Sequence, residues 1–436
     1  MYLADRATPA AADARGARRG RAPAISSVVI ALGAVSLVTD ISSEMVTAVL
    51  PLYLVTSLGL SPLGFGTLDG VYNGVSALVQ LTGGHLADRM RNHKLIAGLG
   101  YGLSALCKPL LLLVHSLGPL GVVLALERTG KGLRTSPRDA LISLSTAPEH
   151  RGRAFGVHRA MDTTGAVLGP MAAFFILRAA TDGYDAVFGV SACVAVLGVL
   201  VLVLFVPGRD RMAAMTAGGR GDAAAAGDVV AGDAVTGPKR VDLREAIGLL
   251  RLPRLRALAG CSILLGLTTV SDAFVYLLLQ RRAGIGEEWF PLMPLGTAAV
   301  FLLLAVPVGV LADRIGRRVV FLAGHAALLG GYALLLWAPD VPALPYAVLA
   351  LHGIFYAATD GVLPAAVADV VPEQLRGSGL ALVGTGQALA RFCCSLAFGA
   401  AWTVWGDGRA LLGSAVGLLL CAAVAGVVLR PAGETR

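Results

Sequence analysis

Apolar runs about 20 residues long alternate with short polar connections along most of the chain. Ala186 to Val206, Val319 to Trp337 and Ala410 to Leu429 are three of them. An α-helix of that length crosses the hydrocarbon core of a bilayer. Neither strand alternation nor a recurring polar helix face breaks the pattern. It predicts an all-α polytopic membrane protein with about twelve transmembrane helices.

Residues 1–24 are rich in Ala and Arg without an apolar centre. They read as a disordered cytoplasmic tail and not as a cleavable signal, the first span serving as the insertion signal. Residues 25–206 form a first six-helix bundle and 247–430 a second. Between them, 207–246 is Gly-, Ala- and Asp-rich, a flexible cytoplasmic linker. Residues 431–436 form a short C-terminal tail.

The bundles are related by an internal repeat. Gly84-His85-Leu86-Ala87-Asp88-Arg89 recurs as Gly309-Val310-Leu311-Ala312-Asp313-Arg314, an offset of 313 − 88 = 225. Arg151-Gly152 recurs as Arg376-Gly377 at the same offset. Two elements sharing one offset point to duplicated, pseudo-symmetric halves.

Charge fixes the expected orientation. Of 436 residues, 15% are charged and 56% hydrophobic, where soluble domains carry about 25% charged residues. Mean hydropathy is +0.73. The net charge of +8 is no nucleic-acid signature, because the cations fall on alternate connections. Arg89, Arg91 and Lys94, Arg151 and Arg153, Arg314, Arg317 and Arg318, and Arg376 mark one side. The opposite connections, such as 56–61 and 115–119, are nearly uncharged, and Arg281 and Arg282 are offset by Glu287 and Glu288. The positive-inside rule then places both termini in the cytoplasm, in a cell (inner or plasma) membrane. The six cysteines lie in apolar runs and read as packing residues, with no disulfide pair or metal cluster. No cofactor is expected.

The Gly-x-Leu-Ala-Asp-Arg element lies between the second and third spans and again between the eighth and ninth. It resembles motif A of the major facilitator superfamily. Gly84, Asp88 and Arg89 carry the first copy; Gly309, Asp313, Arg314, Gly316 and Arg317 the second, which matches through Arg318. The first copy departs after Arg89, with Arg91, Asn92, His93 and Lys94. The resemblance implies a gating role at the cytoplasmic face, the glycine permitting close helix approach. Gly156, Gly165, Gly169 and Pro170 are similar to the fifth-span motif C of proton-coupled exporters, with Met171-Ala172-Ala173-Phe174 where paired glycines normally close it. Glycines at i and i+4 let a neighbouring helix approach closely, and proline permits a kink. Asp40-Ile41-Ser42-Ser43-Glu44-Met45 and the stretch from Arg128 to Asp139 also resemble a group of prokaryotic permeases with mostly unassigned substrates.

Ionisable residues inside the spans are the candidate chemistry, since each is costly at mid-depth unless paired or hydrated. Asp40 and Glu44 lie at i and i+4 on one face of the first span. The fourth span carries Glu127 and a cationic stripe of Arg128, Lys131, Arg134 and Arg138, followed by Asp139; the fifth carries His158, Arg159 and Asp162. Counting inward from the helix turns sets Asp40 level with Arg134, Glu44 with Lys131 or Arg128, Asp162 with Arg134 or Thr135, and His158 with Asp139. At the repeat offset the second half has Gly353, Tyr356, Thr359 and Leu363 opposite the stripe and Leu265 and Thr269 opposite the acids. Folding of the repeat therefore does not require these charges. The second half retains Asp272, Asp360 and Arg391.

Asp40, Glu44, Glu127, Arg128, Lys131, Arg134, Asp162, Asp272 and Asp360 are the expected substrate and proton pathway. Arg128 resembles the motif B arginine, a role that implies tuning a neighbouring carboxylate. Tyr53, Tyr72, Tyr276 and Tyr356 are candidate cavity residues, and Trp289, Trp402 and Trp405 candidate interface anchors. The resulting expectation is a monomeric secondary transporter that exchanges a small molecule or ion for protons by alternating access, with membrane lipid as its surroundings. Uptake symport of an anionic solute is the alternative. No nucleophile–base pair, metal-ligand set or phosphate loop suggests an enzyme.

Overall fold

The computed structural model describes residues 26–90, 92–146, 150–207, 248–339, 341–372 and 375–430. The expected tails and nearly all of the linker lie outside these residues.

The first half consists of α1 (Ser27–Thr56), α2 (Pro62–Met90), α3 (His93–Leu110), α4 (Leu117–Leu144), α5 (Arg151–Ala179) and α6 (Gly183–Phe205). The second comprises α7 (Pro253–Gly266), α8 (Asp272–Ala283), α9 (Met293–Ile315), α10 (Arg317–Trp337), α11 (Leu344–Thr359), α12 (Val362–Val370), α13 (Arg376–Trp405) and α14 (Asp407–Val428). Short 3₁₀ turns cover Leu249–Arg251 and Glu287–Leu292. Among the described residues, eight spans are long and apolar enough to cross a membrane. Those expected besides are α2, α3, the charged α4, and α7 with α8.

The second half departs from unbroken helices in two places. Its first span stops at Gly266 and restarts at Asp272, and its fourth breaks at Asp360-Gly361 between α11 and α12. Backbone groups freed inside a membrane need partners from the protein. At the first break the Val270 N–H donates to the Tyr332 hydroxyl at 2.8 Å, and Cys394 Sγ donates to the Thr269 carbonyl at 3.2 Å.

Small residues set the tightest helix crossings, as expected where backbone approach must replace a hydrophobic drive. A Cβ on Gly165 would stand 2.5 Å from the Leu37 carbonyl, and one on Gly169 would stand 2.8 Å from both the Ile41 carbonyl and Glu44 Cβ. Gly165 and Gly169 of motif C thus seat α5 on the stretch of α1 that holds Asp40 and Glu44. On α4, a Cβ at Gly130 would stand 2.7 Å from the Gly100 carbonyl of α3.

The halves meet most closely at the end holding the α1–α2 turn. Phe65 of α2 packs edge-on against Phe274 of α8 at 4.7 Å between centroids, and Phe274 meets Phe398 and Trp402 of α13. The Tyr184 hydroxyl donates to Glu287 at 2.7 Å, and Phe174 lies 5.0 Å from the Trp289 ring. One large apolar core runs through this end. A separate cluster around Leu32, Tyr101 and Leu141 fills the other end of the first half.

Candidate transport cavity

A cavity of about 400 Å³ lies between the halves. Glu44 and Thr47 of α1, Asp69 and Tyr72 of α2, Asp272 and Tyr276 of α8, and Arg391 and Ser395 of α13 contribute its polar wall, together with Tyr356 and Asp360. Leu50, Leu54, Phe65 and Phe290 line it toward the aromatic seal. A smaller cavity of about 80 Å³ shares Thr269, Asp360 and Arg391 with it.

On the first half the charges are paired, mostly between helices. Lys131 Nζ lies 3.2 Å from Glu44, and Arg134 Nη2 lies 3.4 Å from Asp40. These join α4 to α1, at the pairs the depth count sets level. The Glu44–Lys131 pair keeps 25% and 30% of its side-chain surfaces accessible, while Arg134 keeps 4%. Glu127 is buried against Lys108 of α3 at 3.2 Å. Its other oxygen stands 3.0 Å from Arg128 Nε, close as charges but not aligned as a hydrogen bond. Arg128 also covers the Tyr72 ring at 3.4 Å, and its Nη2 donates to Thr47 Oγ1 at 3.4 Å. Arg138 reaches Asp162 of α5 at 3.4 Å and its neighbour Asp139 at 3.0 Å.

On the second half the acid is met by weaker partners. Asp272, at the start of α8, accepts from the Tyr356 hydroxyl at 2.6 and 2.7 Å and sits 3.0 Å from His352 Nε2, both on α11. Arg391 faces the cavity within electrostatic reach of Asp272 and Asp360. Neither Arg391 nor Asp360 makes a side-chain hydrogen bond or close ion pair among the described residues.

Of the nine expected pathway residues, Glu44, Asp272 and Asp360 line the cavity. Glu127, Arg128 and Arg134 are buried and Asp40 and Asp162 half-buried in contacts between helices, and Lys131 reaches the cavity wall through Glu44. Two depth expectations shift. Asp162 pairs one turn further along, with Arg138, and His158 hydrogen-bonds Ser36 at 3.0 Å instead of meeting Asp139. Tyr72, Tyr276 and Tyr356 line the cavity, but Tyr53 is buried against Tyr184 and Phe188. Trp402 packs in the aromatic seal, with Arg281 over its ring at 5.2 Å.

The Gly-x-Leu-Ala-Asp-Arg element occupies the C-terminal ends of α2 and α9, and Gly316 makes the α9–α10 connection. The side chains of its first copy, Gly84, Asp88 and Arg89, lie outside the described residues. In the second, Gly316 turns the chain at φ +97°, a left-handed value that favours glycine. Arg317 pairs with Asp313 at 3.5 Å and with Asp369 of α12, tying the motif to the broken fourth span. Gly309 and Gly156 do not serve close approach, since a Cβ on either would meet nothing within 4 Å.

Sequence reasoning missed Asp69 and Lys108, and left Arg391 outside the pathway. The repeat offset could have flagged the first two, since it sets Pro294 opposite Asp69 and Ala333 opposite Lys108.

Comparison with known proteins agrees with this architecture. An uncharacterised MFS-type transporter of Methanocaldococcus jannaschii is 29% identical over 404 residues, covering 91% of this chain and 93% of the relative. An uncharacterised Mycobacterium bovis protein is 32% identical over 170 residues, 38% of this chain and 41% of its own length. Among solved structures, the nucleoside transporter NupG superposes with a TM-score of 0.73 at 12% identity, covering 93% of this chain and 99% of that one. A bacterial homologue of the human lysosomal transporter Spinster, inward-facing and unoccupied, gives 0.70 at 15% identity, over 92% and 96% of the two chains. The sequence profile of the Major Facilitator Superfamily matches residues 32–304 and 289–436. With a duplicated helical bundle, motif A at matching helix ends and a charged cavity between the halves, the chain belongs to the major facilitator superfamily.

Proposed function

We propose that this chain is a proton-coupled exporter that moves a small molecule or ion out of the cell by alternating access, both termini facing the cytoplasm. The observation that carries the proposal is the Glu44–Lys131 pair at the cavity wall. A proton arriving at Glu44 cancels its charge and releases Lys131; cargo entering the cavity competes for the same charge state. The two halves then rock about the cavity, as in transporters built from repeated halves. The aromatic seal at the α1–α2 end and the inward-facing Spinster homologue support reading this conformation as closed on the outside. Motif C supports export, because Gly165 and Gly169 press α5 onto the acids of α1 and link their charge state to helix position.

Arg391 favours a second reading. A cavity-facing guanidinium without a close partner suits an anionic solute taken up with protons. Everted membrane vesicles separate the two. With an acid interior set up by respiration, an exporter collapses the proton gradient when cargo is added outside the vesicle and accumulates that cargo. A screen of compounds toxic to a deletion strain, repeated with Asp40→Asn and Glu44→Gln, supplies the cargo. If both variants match the unmodified protein for every responsive compound, the site assignment fails.

A further inference from the structure

The seam between α2 and α13 holds an acid that belongs to none of the recognised motifs. Asp69 is 9% exposed. Its carboxylate accepts from Ser395 Oγ of α13 at 2.6 Å and from Asn73 Nδ2, one turn along α2, at 3.2 Å. The Ser271 hydroxyl, at the break before α8, lies beside it without an aligned partner. Among the described residues no cation touches it. By contrast Glu44 has Lys131, Asp40 has Arg134 and Glu127 has Lys108. A carboxylate held away from water with only neutral donors is costly to keep ionised.

Several charged or titratable groups face this position. Asp272 and Tyr276 approach from α8, Arg391 and Cys394 from α13, and Glu44 from α1 across the cavity. On α4, Arg128 is taken up by Tyr72 and Thr47. None of these neutralises Asp69 by direct contact.

The seam itself has no slack. A Cβ on Gly66 would collide with the Ser395 carbonyl, one on Gly399 would stand 2.5 Å from the Pro62 carbonyl, and one on Gly70 3.0 Å from the Phe392 ring. Any separation of α2 from α13 at this level therefore breaks the Asp69–Ser395 hydrogen bond. The mirrored helices, α5 and α9, barely touch in this conformation, and the repeat offset puts Pro294 opposite Asp69 and Pro170 opposite Ser395. The Asp69–Ser395 hydrogen bond therefore has no counterpart across the repeat.

We propose that Asp69 is a proton-binding site of the transport cycle whose charge state controls the contact between the halves, an assignment resting on the proton-coupled reading above. The proton enters through the cavity and forms an O–H bond on a carboxylate oxygen. Neutral Asp69 donates to Ser395 or to cavity water and leaves α2 and α13 closed. Once the proton departs to the cavity, the charge draws in water or a cationic group of the cargo, and the seam loosens.

The test uses the full chain reconstituted in liposomes. Infrared difference spectra between acid and alkaline buffer report protonated carboxyl groups, and hydrogen exchange reports opening of α2 and α13. Loss of one carboxyl band in Asp69→Asn, with loss of the pH dependence of exchange along both helices, is the expected result. Ser395→Ala keeps the band and moves it to higher wavenumber, and this variant carries the test if Asp69→Asn does not fold. An unchanged band set in Asp69→Asn, or an unshifted band in Ser395→Ala, overturns the assignment. The underlying reading fails separately: if Glu44→Gln abolishes proton-linked efflux while Asp69→Asn leaves spectra and efflux intact, proton coupling stands and Asp69 has no part in it. If neither variant alters proton movement, proton coupling itself falls.

Discussion

The two halves solve the same geometric problem with different chemistry. In each, the first span meets the fourth beside the cavity. The first half joins α1 to α4 with full ion pairs, Glu44–Lys131 and Asp40–Arg134. The second joins α8 to α11 by hydrogen bonds from Tyr356 and by His352 on Asp272. At the repeat offset, Lys131 and Tyr356 are equivalent positions, as are Glu127 and His352. The contact between these spans is thus a property of the fold, and its charge a property of one half. An ion pair changes strongly when one partner takes up a proton; a tyrosine hydroxyl on a carboxylate does so less. Under the proton-coupled function proposed above, the contrast puts switching in the first half and a steadier wall in the second.

Breaking the comparison at its strongest point means reversing charge at the cavity. Glu44→Lys or Lys131→Glu alone should abolish cargo efflux from whole cells, and the double reversal should recover part of it. No recovery would show that the two charges act apart. Next in size is the buried clamp behind them. Glu127→Ala leaves Lys108 uncompensated and should lower stability by about 3–5 kcal/mol, read as loss of monodisperse protein in detergent. A normal melting profile would remove the clamp from the account.

Smaller effects sharpen the contrast. Gly169→Val forces α5 away from Ile41 and Glu44 and should cost about 1–3 kcal/mol; thermal unfolding of the purified protein measures it. Asp272→Asn keeps an acceptor for Tyr356 but removes the charge, and should slow efflux about tenfold without altering the melting profile. A larger loss than that of the Glu44 variants would reverse the assignment of switch and wall. Gly309→Ala, facing open space, should stay within about 0.5 kcal/mol.

The sequence made the span count, the duplicated halves and the charged faces of α1 and α4 readable, because each depends on spacing along a single helix. Asp40, Glu44 and the cationic stripe follow from a turn of 3.6 residues. Which charges line the cavity and which clamp helices together depends on how each helix is rotated about its axis, and hydropathy carries no trace of that. Lys108 and Asp69 escaped notice as single polar residues inside apolar runs. The break before α8 was hidden as well: residues 267–271 contain neither Gly nor Pro, and their partners Tyr332 and Cys394 are 62 and 125 residues further on.

That break reaches beyond its own span. Tyr332 sits in α10, is absent from the cavity wall, and yet its hydroxyl holds Val270 where the wall bends. A substitution there would redraw the chamber from behind while leaving every lining side chain in place. Relatives with matching cavity residues can therefore diverge in what they carry, and a search for selectivity should include the residues that brace the unwound backbone.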